Sequence, residues 1–317
     1  MANGSRVLVT GGAGFIGRRV VRALLAAGHE VTVADLRTFP DPAVRSVVGD
    51  LCDPEGPARA IRPGTEVIIH LAAVTSVLAT VADPVSTHRL NLDATARLLE
   101  LARENEVGTF LFASTNAVVG GGSEVGEVIT ERALLRPLTP YGATKAAAEM
   151  LIGSYANCYG MTGVSLRFSN VYGPGMAEKD SFIPRLMRAA RDGAVVQVRG
   201  DGTMLRDVVH VDDIVQGIFA AWQSGHSGPL ILGAGHSVSV NDMVATARRV
   251  TGAAIPAENV PVEKGEMPAI VIDISAAKAL GYQPGYDLQA GLATVWPEFD
   301  PAHPQDARIG AGEVTRA

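Results

Sequence analysis

Apolar positions along this chain alternate between two rhythms. Short continuous runs, Val7-Leu-Val-Thr10, Glu30-Val-Thr-Val-Ala34, Ser46-Val-Val, Val67-Ile-Ile-His70 and Thr109-Phe-Leu-Phe-Ala-Ser-Thr115, have the β-forming character of buried strands. Between them lie longer segments with apolar residues at helical spacing. Arg18 to Ala27 is an amphipathic helix ended by Gly28, Asp83-Pro84 opens a long helix that carries Asn91 and ends near Asn105, and a further helix starts at Pro140. Strand and helix continue in alternation through Val164-Ser-Leu-Arg167, the strand Pro229 to Gly233, and helices over Val240 to Thr251 and Leu288 to Trp296. This is the sequence form of an α/β fold, a doubly wound parallel sheet with helices on both faces. No internal repeat interrupts it.

Composition narrows the class. At 317 residues, 47% of them hydrophobic, the chain is long enough for one large domain and an appended lobe. No apolar run approaches the roughly 20 residues that span a bilayer, and the first strand begins almost at once, so no membrane association and a cytoplasmic location are expected. A net charge of −6 without a basic stripe argues against nucleic acid as a partner. Cys52 and Cys158 are too few for a metal centre or a disulfide framework, and no metal site is expected.

The candidate chemistry starts at the first turn. The first strand runs into Gly11, Gly14 and Gly17, with Phe15 and Ile16 between the last two, and then into a helix. Strand, glycine turn and helix together form the context of a dinucleotide site. One glycine makes the tight turn, one admits a pyrophosphate to bare backbone, and one lets helix and strand pack closely. Asp35 lies about 20 residues on, where a carboxylate binds both ribose hydroxyls and repels a 2′-phosphate, which favours NAD over NADP. Arg37 leaves an opening for NADP. Asp50 and Leu51, after the third strand, are placed to meet the adenine. Leu71, Ala72 and Ala73, after the fourth, supply small residues where backbone passes the cofactor.

Tyr141 and Lys145 stand four apart at the start of the helix from Pro140, on one face. By itself such a pair is more often a solvated helix face. After the fifth strand of a dinucleotide fold it has a use, because an ammonium and a nicotinamide cation both favour a phenolate and draw a pKa of about 10 toward neutrality, so that the tyrosine can act as a base.

With these motifs in order, the chain resembles the extended short-chain dehydrogenase/reductase superfamily, in its nucleotide-sugar epimerase/dehydratase branch. The resemblance rests on Thr-Gly-Gly-Ala-Gly-Phe-Ile-Gly17, Asp50-Leu51, His70-Leu-Ala-Ala73, Asn91, Ser114-Thr115 and Tyr141-Gly-Ala-Thr-Lys145. It implies a Rossmann domain over residues 1–169, to which segments near 204–235 return. It also implies a smaller C-terminal α+β substrate lobe from 170–203 and 236–300, and 301–317 read as a disordered tail. NAD contacts fall by this resemblance on the glycine turn, Asp35, Asp50, Leu51, Leu71 to Ala73, Asn91, Tyr141 and Lys145. Thr115 bonds the reacting sugar hydroxyl, Tyr141 is the base and acid, and Lys145 holds the ribose. Departures are Val119 where tyrosine is usual, and Arg18-Arg19 for a Ser-His pair.

The implied substrate is a nucleotide-diphosphate sugar, a UDP-hexose, held by Asn170, by Arg206 as pyrophosphate clamp and by Ile270 as pocket wall. The competing reading of Arg206 is a surface arginine paired with Asp207. His210 and Asp212 are read as shaping a turn. The segment Glu263 to Ile270 resembles the epimerases' Arg-x-Gly-Asp-Leu-Pro-Ala, with Glu263 in place of a phosphate-binding arginine. Either Lys264 substitutes, the loop swings away, or the donor is not an ordinary UDP-hexose. In the branch's 4,6-dehydratases the active threonine is followed by Asp-Glu; here Asn116 and Ala117 follow, and neither can exchange that proton. The expectation is therefore a UDP-glucose-type 4-epimerase, working as a homodimer, by transient oxidation at carbon 4 and return on the opposite face. A ketoreductase or dehydrogenase on a nucleotide sugar is the runner-up, and a non-catalytic NAD sensor on the same fold stands third.

Overall fold

A computed structural model of the chain describes residues 4–53, 55–120, 128–262 and 270–302. It divides into two compact units, a larger one of Met1–Val171, Leu205–Ser237 and Lys264–Gly285 and a smaller one of Tyr172–Met204, Val238–Glu263 and Tyr286–Ala317. The first stretch alternates as the apolar runs predict: β1 (Arg6–Thr10), α1 (Phe15–Ala26), β2 (Glu30–Asp35), β3 (Arg45–Val48), α2 (Gly56–Ala60), β4 (Val67–His70), α3 (Val77–Ala82), α4 (Pro84–His88), α5 (Ala94–Glu104) and β5 (Thr109–Thr115). Next come β6 (Val128–Ile129), α6 (Pro140–Tyr159), β7 (Thr162–Phe168) and β8 (Asn170–Tyr172).

The smaller unit takes α7 (Phe182–Asp192) and β9 (Val196–Arg199), after which β10 (Leu205–His210), α8 (Val211–Ser224) and β11 (Gly228–Leu232) return to the larger one. Through β12 (Ser237–Ser239) the chain reaches α9 (Val240–Thr251) and β13 (Ala257–Val260) of the smaller unit; β14 (Val271–Ile272) and α10 (Ser275–Ala279) lie in the larger, and α11 (Leu288–Val295) in the smaller.

The main sheet has the order β11-β7-β5-β4-β1-β2-β3, with every neighbouring pair parallel. Its central strands are buried on both faces, which is why they read as unbroken apolar runs. The order reverses between β1 and β4. That reversal opens a crevice at the carboxyl ends of the two strands, where open α/β sheets bind ligands. In the smaller unit β9 pairs parallel with β13. No helix among the described residues is long and apolar enough to cross a membrane.

Two expectations need correction. The long helix from Pro84 is not continuous, because a π-type turn over Arg89–Asp93 separates α4 from α5. Its buried Asn91 uses its amide on neighbouring backbone, and a π turn is a known place for such a side-chain demand. Residues 270–285, expected in the substrate lobe, pack with the larger unit. There β14 pairs with β6, and the buried Tyr282 hydroxyl donates to the Gly233 carbonyl at 2.8 Å.

His70 shows how tightly the strand ends are specified. Its ring is fully buried, with Nδ1 2.6 Å from the Thr10 hydroxyl and Nε2 2.8 Å from that of Thr95. Thr95 donates to the Asn91 carbonyl, so it accepts from Nε2–H, and Nδ1 accepts from Thr10. Burial, helped by the Lys145 charge, pushes this histidine down to about 3. A histidine neutral in the fold and protonated in the unfolded chain contributes stability above about pH 6.5 that is lost as pH falls toward 3, on the order of 4 kcal/mol when fully lost. Urea unfolding at pH 6.5 and 4.5 should show the parent losing about 2 kcal/mol more than His70→Asn over that interval. Equal losses would assign the acid sensitivity elsewhere.

Candidate active site

The glycine turn after β1 is as cramped as its sequence requires. Gly11 adopts φ +68°, and a Cβ there would stand 2.7 Å from the Ala72 backbone nitrogen, across the sheet crevice. A Cβ on Gly17 would collide with the Gly11 carbonyl oxygen, so α1 packs directly on the turn. Gly14 is the N-cap of α1, and no side chain caps the helix start. Phe15 and Ile16 begin the first turn, half-buried. Bare backbone at a helix N-terminus is the environment a pyrophosphate needs.

Asp35, at the end of β2, is tied to this turn. Its Oδ2 accepts from the Ala13 amide at 2.9 Å and its Oδ1 from the Arg37 amide at 3.1 Å, which leaves further lone pairs on both oxygens. Leu51 is buried beyond β3, and the Asp50 carboxylate accepts from the Cys52 amide. After β4, the Leu71 amide donates to the Thr10 carbonyl and the Ala72 amide to the Thr10 hydroxyl, which bring Leu71 to Ala73 beside Gly11. Asn91 has a positioning place here: its Oδ1 accepts from the Val74 amide at 2.8 Å, and its Nδ2 donates to the Val74 carbonyl and the Thr144 hydroxyl. The cradle a Cβ would fill, the close approach of β4 and the half-buried carboxylate all fit NAD.

The second cluster lies at the carboxyl end of β5 and the start of α6. Thr115 ends β5, and its hydroxyl accepts from the Ala117 amide at 3.2 Å. Thr139 caps α6 through the Gly142 amide, and a Cβ on Gly142 would strike the Ala117 carbonyl at 2.6 Å, so helix start and strand end are pressed together. Burial pushes the Tyr141 phenol up to about 12, and its hydrogen bond with Thr115 opposes that. Lys145 is 1% exposed; its Nζ donates to the Ala113 carbonyl at 2.8 Å and lies 4.4 Å from the centre of the Phe112 ring. Burial brings this lysine down to about 7, while the Glu149 carboxylate one turn later opposes the fall. Within the polypeptide desolvation dominates both groups; the expected pull on the phenol joins the Lys145 charge to that of the nicotinamide cation.

Behind Lys145 lies a buried ion pair that the sequence reading missed. Glu149, 8% exposed, receives Arg167 of β7 through Nη2 at 2.8 Å and Nε at 3.1 Å. Ser114 also donates to Glu149, and Arg167 Nη1 donates to the Glu131 carbonyl. The only local signal was Glu149 one helical turn beyond Lys145. Asn116, read only as a departure from the acidic pair, is 4% exposed, and neither polar atom of its side chain has a hydrogen-bond partner among the described residues.

Asn170, Arg206 and Ile270 converge on β10. Asn170 Nδ2 donates to the Asp207 carbonyl at 2.9 Å, Arg206 Nη1 donates to the Leu205 carbonyl at 2.8 Å, and the Ile270 amide donates to the same Leu205 carbonyl. The Asp207 carboxylate accepts from Ser169, Ala234 and Gly235. His210 caps α8 by accepting from the Asp212 amide, a turn-shaping place. Glu263, Lys264 and residues 303–317 lie outside the described residues.

The model of the NAD dependent epimerase/dehydratase family matches residues 7–233. The chain belongs to this family. A relative named dTDP-glucose 4,6-dehydratase, from Streptomyces griseus, is 34% identical over 91% of this chain and 92% of its own. The crystal structure of the Thermus thermophilus UDP-glucose 4-epimerase in complex with NAD matches with TM-score 0.86 and 32% identity, over 94% of this chain and 99% of that one. MoeE5 in complex with UDP-glucuronic acid and NAD matches with TM-score 0.85 and 35% identity, over 92% and 98%. NAD is the cofactor, and the chain is an enzyme of the epimerase/dehydratase family.

Proposed function

We propose that the chain is a nucleotide-sugar 4-epimerase of the UDP-glucose/UDP-galactose type. The observation that carries this reading is the cluster of Thr115, Tyr141 and Lys145 followed by Asn116 and Ala117 in place of an acidic pair. NAD, when bound, supplies reversible two-electron oxidation of the sugar carbon. Tyr141 Oη takes the proton of the 4-hydroxyl and later returns it, and the Thr115 hydroxyl holds that oxygen in line with it. Lys145, one turn along α6 from Tyr141, holds the ribose. Arg206 and Asn170 hold the diphosphate, for which a guanidinium fork is well matched, and Ile270 limits the width beside the sugar. Without a carboxylic acid after Thr115 the chain has no group there to eliminate water from carbons 5 and 6.

The test is incubation of the purified protein with UDP-galactose and no added cofactor. UDP-glucose should appear without net accumulation of reduced nicotinamide. Net reduction would favour the dehydrogenase reading, a 4-keto-6-deoxy product from dTDP-glucose would favour the dehydratase named among the relatives, and conversion of UDP-glucuronic acid alone would move the donor to a uronic acid.

A homodimer through the helices that start at Pro84 and Pro140 goes with this reading. It is supported by Leu78, Val81, Val85 and Met150, apolar residues exposed on α3, α4 and α6. Sedimentation at micromolar concentration should give a dimer that Met150→Arg converts to monomer; a monomeric parent would remove the interface.

A further inference from the structure

One face of α6 grips the end of β5 at three successive strand residues. Lys145 donates from Nζ to the Ala113 carbonyl, the Ser114 hydroxyl donates to the Glu149 carboxylate, and Tyr141 shares a hydrogen bond with Thr115. Tyr141, Lys145 and Glu149 recur at every fourth position, so the three side chains stand on one side of the helix. The tie through Glu149 continues outward. Its carboxylate receives Nε and Nη2 of Arg167 on β7, and Arg167 Nη1 donates to the carbonyl of Glu131. The Glu131 side chain in turn accepts from the Ile231 amide of β11 at 2.9 Å. One carboxylate thus anchors the strand end that carries Thr115 to two further strands of the main sheet.

The Lys145 ammonium rests on the Ala113 carbonyl and the face of the Phe112 ring, neither of which carries a formal charge. Of the titratable groups around it, His70 on β4 is held down to about 3 and is neutral at working pH. Tyr141, one turn earlier, is a neutral phenol until it gives up its proton, and the Arg167 charge is matched by Glu149. Glu149, one turn later, brings negative charge toward the ammonium and favours it over the free amine. A buried ammonium without such a counter-charge loses its proton readily.

We propose that Glu149 is a positioning residue of the reaction: through Ser114 it fixes the strand end that presents Thr115, and through its charge it keeps Lys145 an ammonium one turn from Tyr141. The inference rests on the roles proposed above for Thr115, Tyr141 and Lys145. It adds that the helix face works as three residues, with the third acting through the other two.

The experiment uses the full chain loaded with NAD and two readouts. One is the titration of Lys145, followed by NMR of isotope-labelled lysine and assigned with Lys145→Met; the other is the pH profile of UDP-galactose turnover. Glu149→Gln keeps the shape and an acceptor for Ser114 but loses the charge, Ser114→Ala cuts the tie to the strand and keeps the charge, and Glu149→Leu/Arg167→Met removes both while filling the space. Glu149→Gln should lower the Lys145 midpoint by about one pH unit or more and move the alkaline fall of kcat down with it, KM being unchanged. Ser114→Ala should leave the midpoint in place and lower kcat about tenfold through misplacement of Thr115. The double variant should show both effects even where its stability is recovered, so it decides the matter if Glu149→Gln does not fold. A midpoint unmoved by loss of the Glu149 charge, or a Ser114→Ala enzyme with the parent kcat, overturns the proposal and leaves Glu149 a structural ion pair. A parent without turnover would sink the epimerase reading instead, and the lysine titration, read without a sugar, would still decide this one.

Discussion

Tyr141→Phe should lower kcat by 10²- to 10⁴-fold, the usual contribution of a positioned general acid and base, which is about 3–5 kcal/mol of barrier. The substitution removes one oxygen from a side chain on the first turn of α6, beside Thr115 at the end of β5, so the fold should be unchanged. The size of the effect follows from burial. A phenol held up to about 12 by burial is a poor base in the polypeptide alone, although its hydrogen bond with Thr115 favours its ionised form. Any turnover near neutral pH therefore depends on positive charge brought to the pocket, and on the hydroxyl being there to use it. The check is the steady-state rate of the variant beside the parent, with bound NAD measured on both. A Phe variant within a few-fold of the parent rate would mean that the proton leaves the sugar by another route. Loss of NAD together with activity would mean that the tyrosine serves binding.

Glu149→Ala should destabilise the fold by about 3–5 kcal/mol, the cost of leaving a buried charge without its partner. Arg167 is 3% exposed and directs Nε and Nη2 at Glu149, so with the carboxylate gone its remaining partner among the described residues is the Glu131 carbonyl. Ser114 would lose its acceptor at the same time. Replacing both members, as in Glu149→Leu/Arg167→Met, should recover much of the loss, because the desolvation penalty is removed along with the pairing. Urea unfolding of the two variants checks both signs. A single variant within about 1 kcal/mol of the parent would show that water or a neighbouring acid reaches Arg167. A second consequence is electrostatic. The Glu149 carboxylate opposes the fall of the Lys145 pKa, so its removal should lower that pKa further and leave less of the lysine charged near neutral pH.

The amino-acid sequence alone determined the parts of this protein that depend on local periodicity and on backbone chemistry. Unbroken apolar runs specify strands buried on both faces, and their alternation with helices specifies a parallel sheet. The turn at Gly11 and Gly17 was legible because those positions tolerate no Cβ, and Tyr141 and Lys145 because four residues along a helix return to one face. The tertiary structure alone decided what depends on neighbours distant in sequence. The interruption of the helix at Asn91 arises from its bonds to Val74 and Thr144. The assignment of residues 270–285 to the larger unit follows from the pairing of β14 with β6. The charge state of the site, with Tyr141 raised and Lys145 lowered, is set by desolvation, and the pairing of Glu149 with Arg167 is set by folding. The physical reason is one of range. Strand and helix preferences act over a few residues, whereas burial and Coulomb interactions depend on what the fold brings within several ångströms, and no local pattern encodes that.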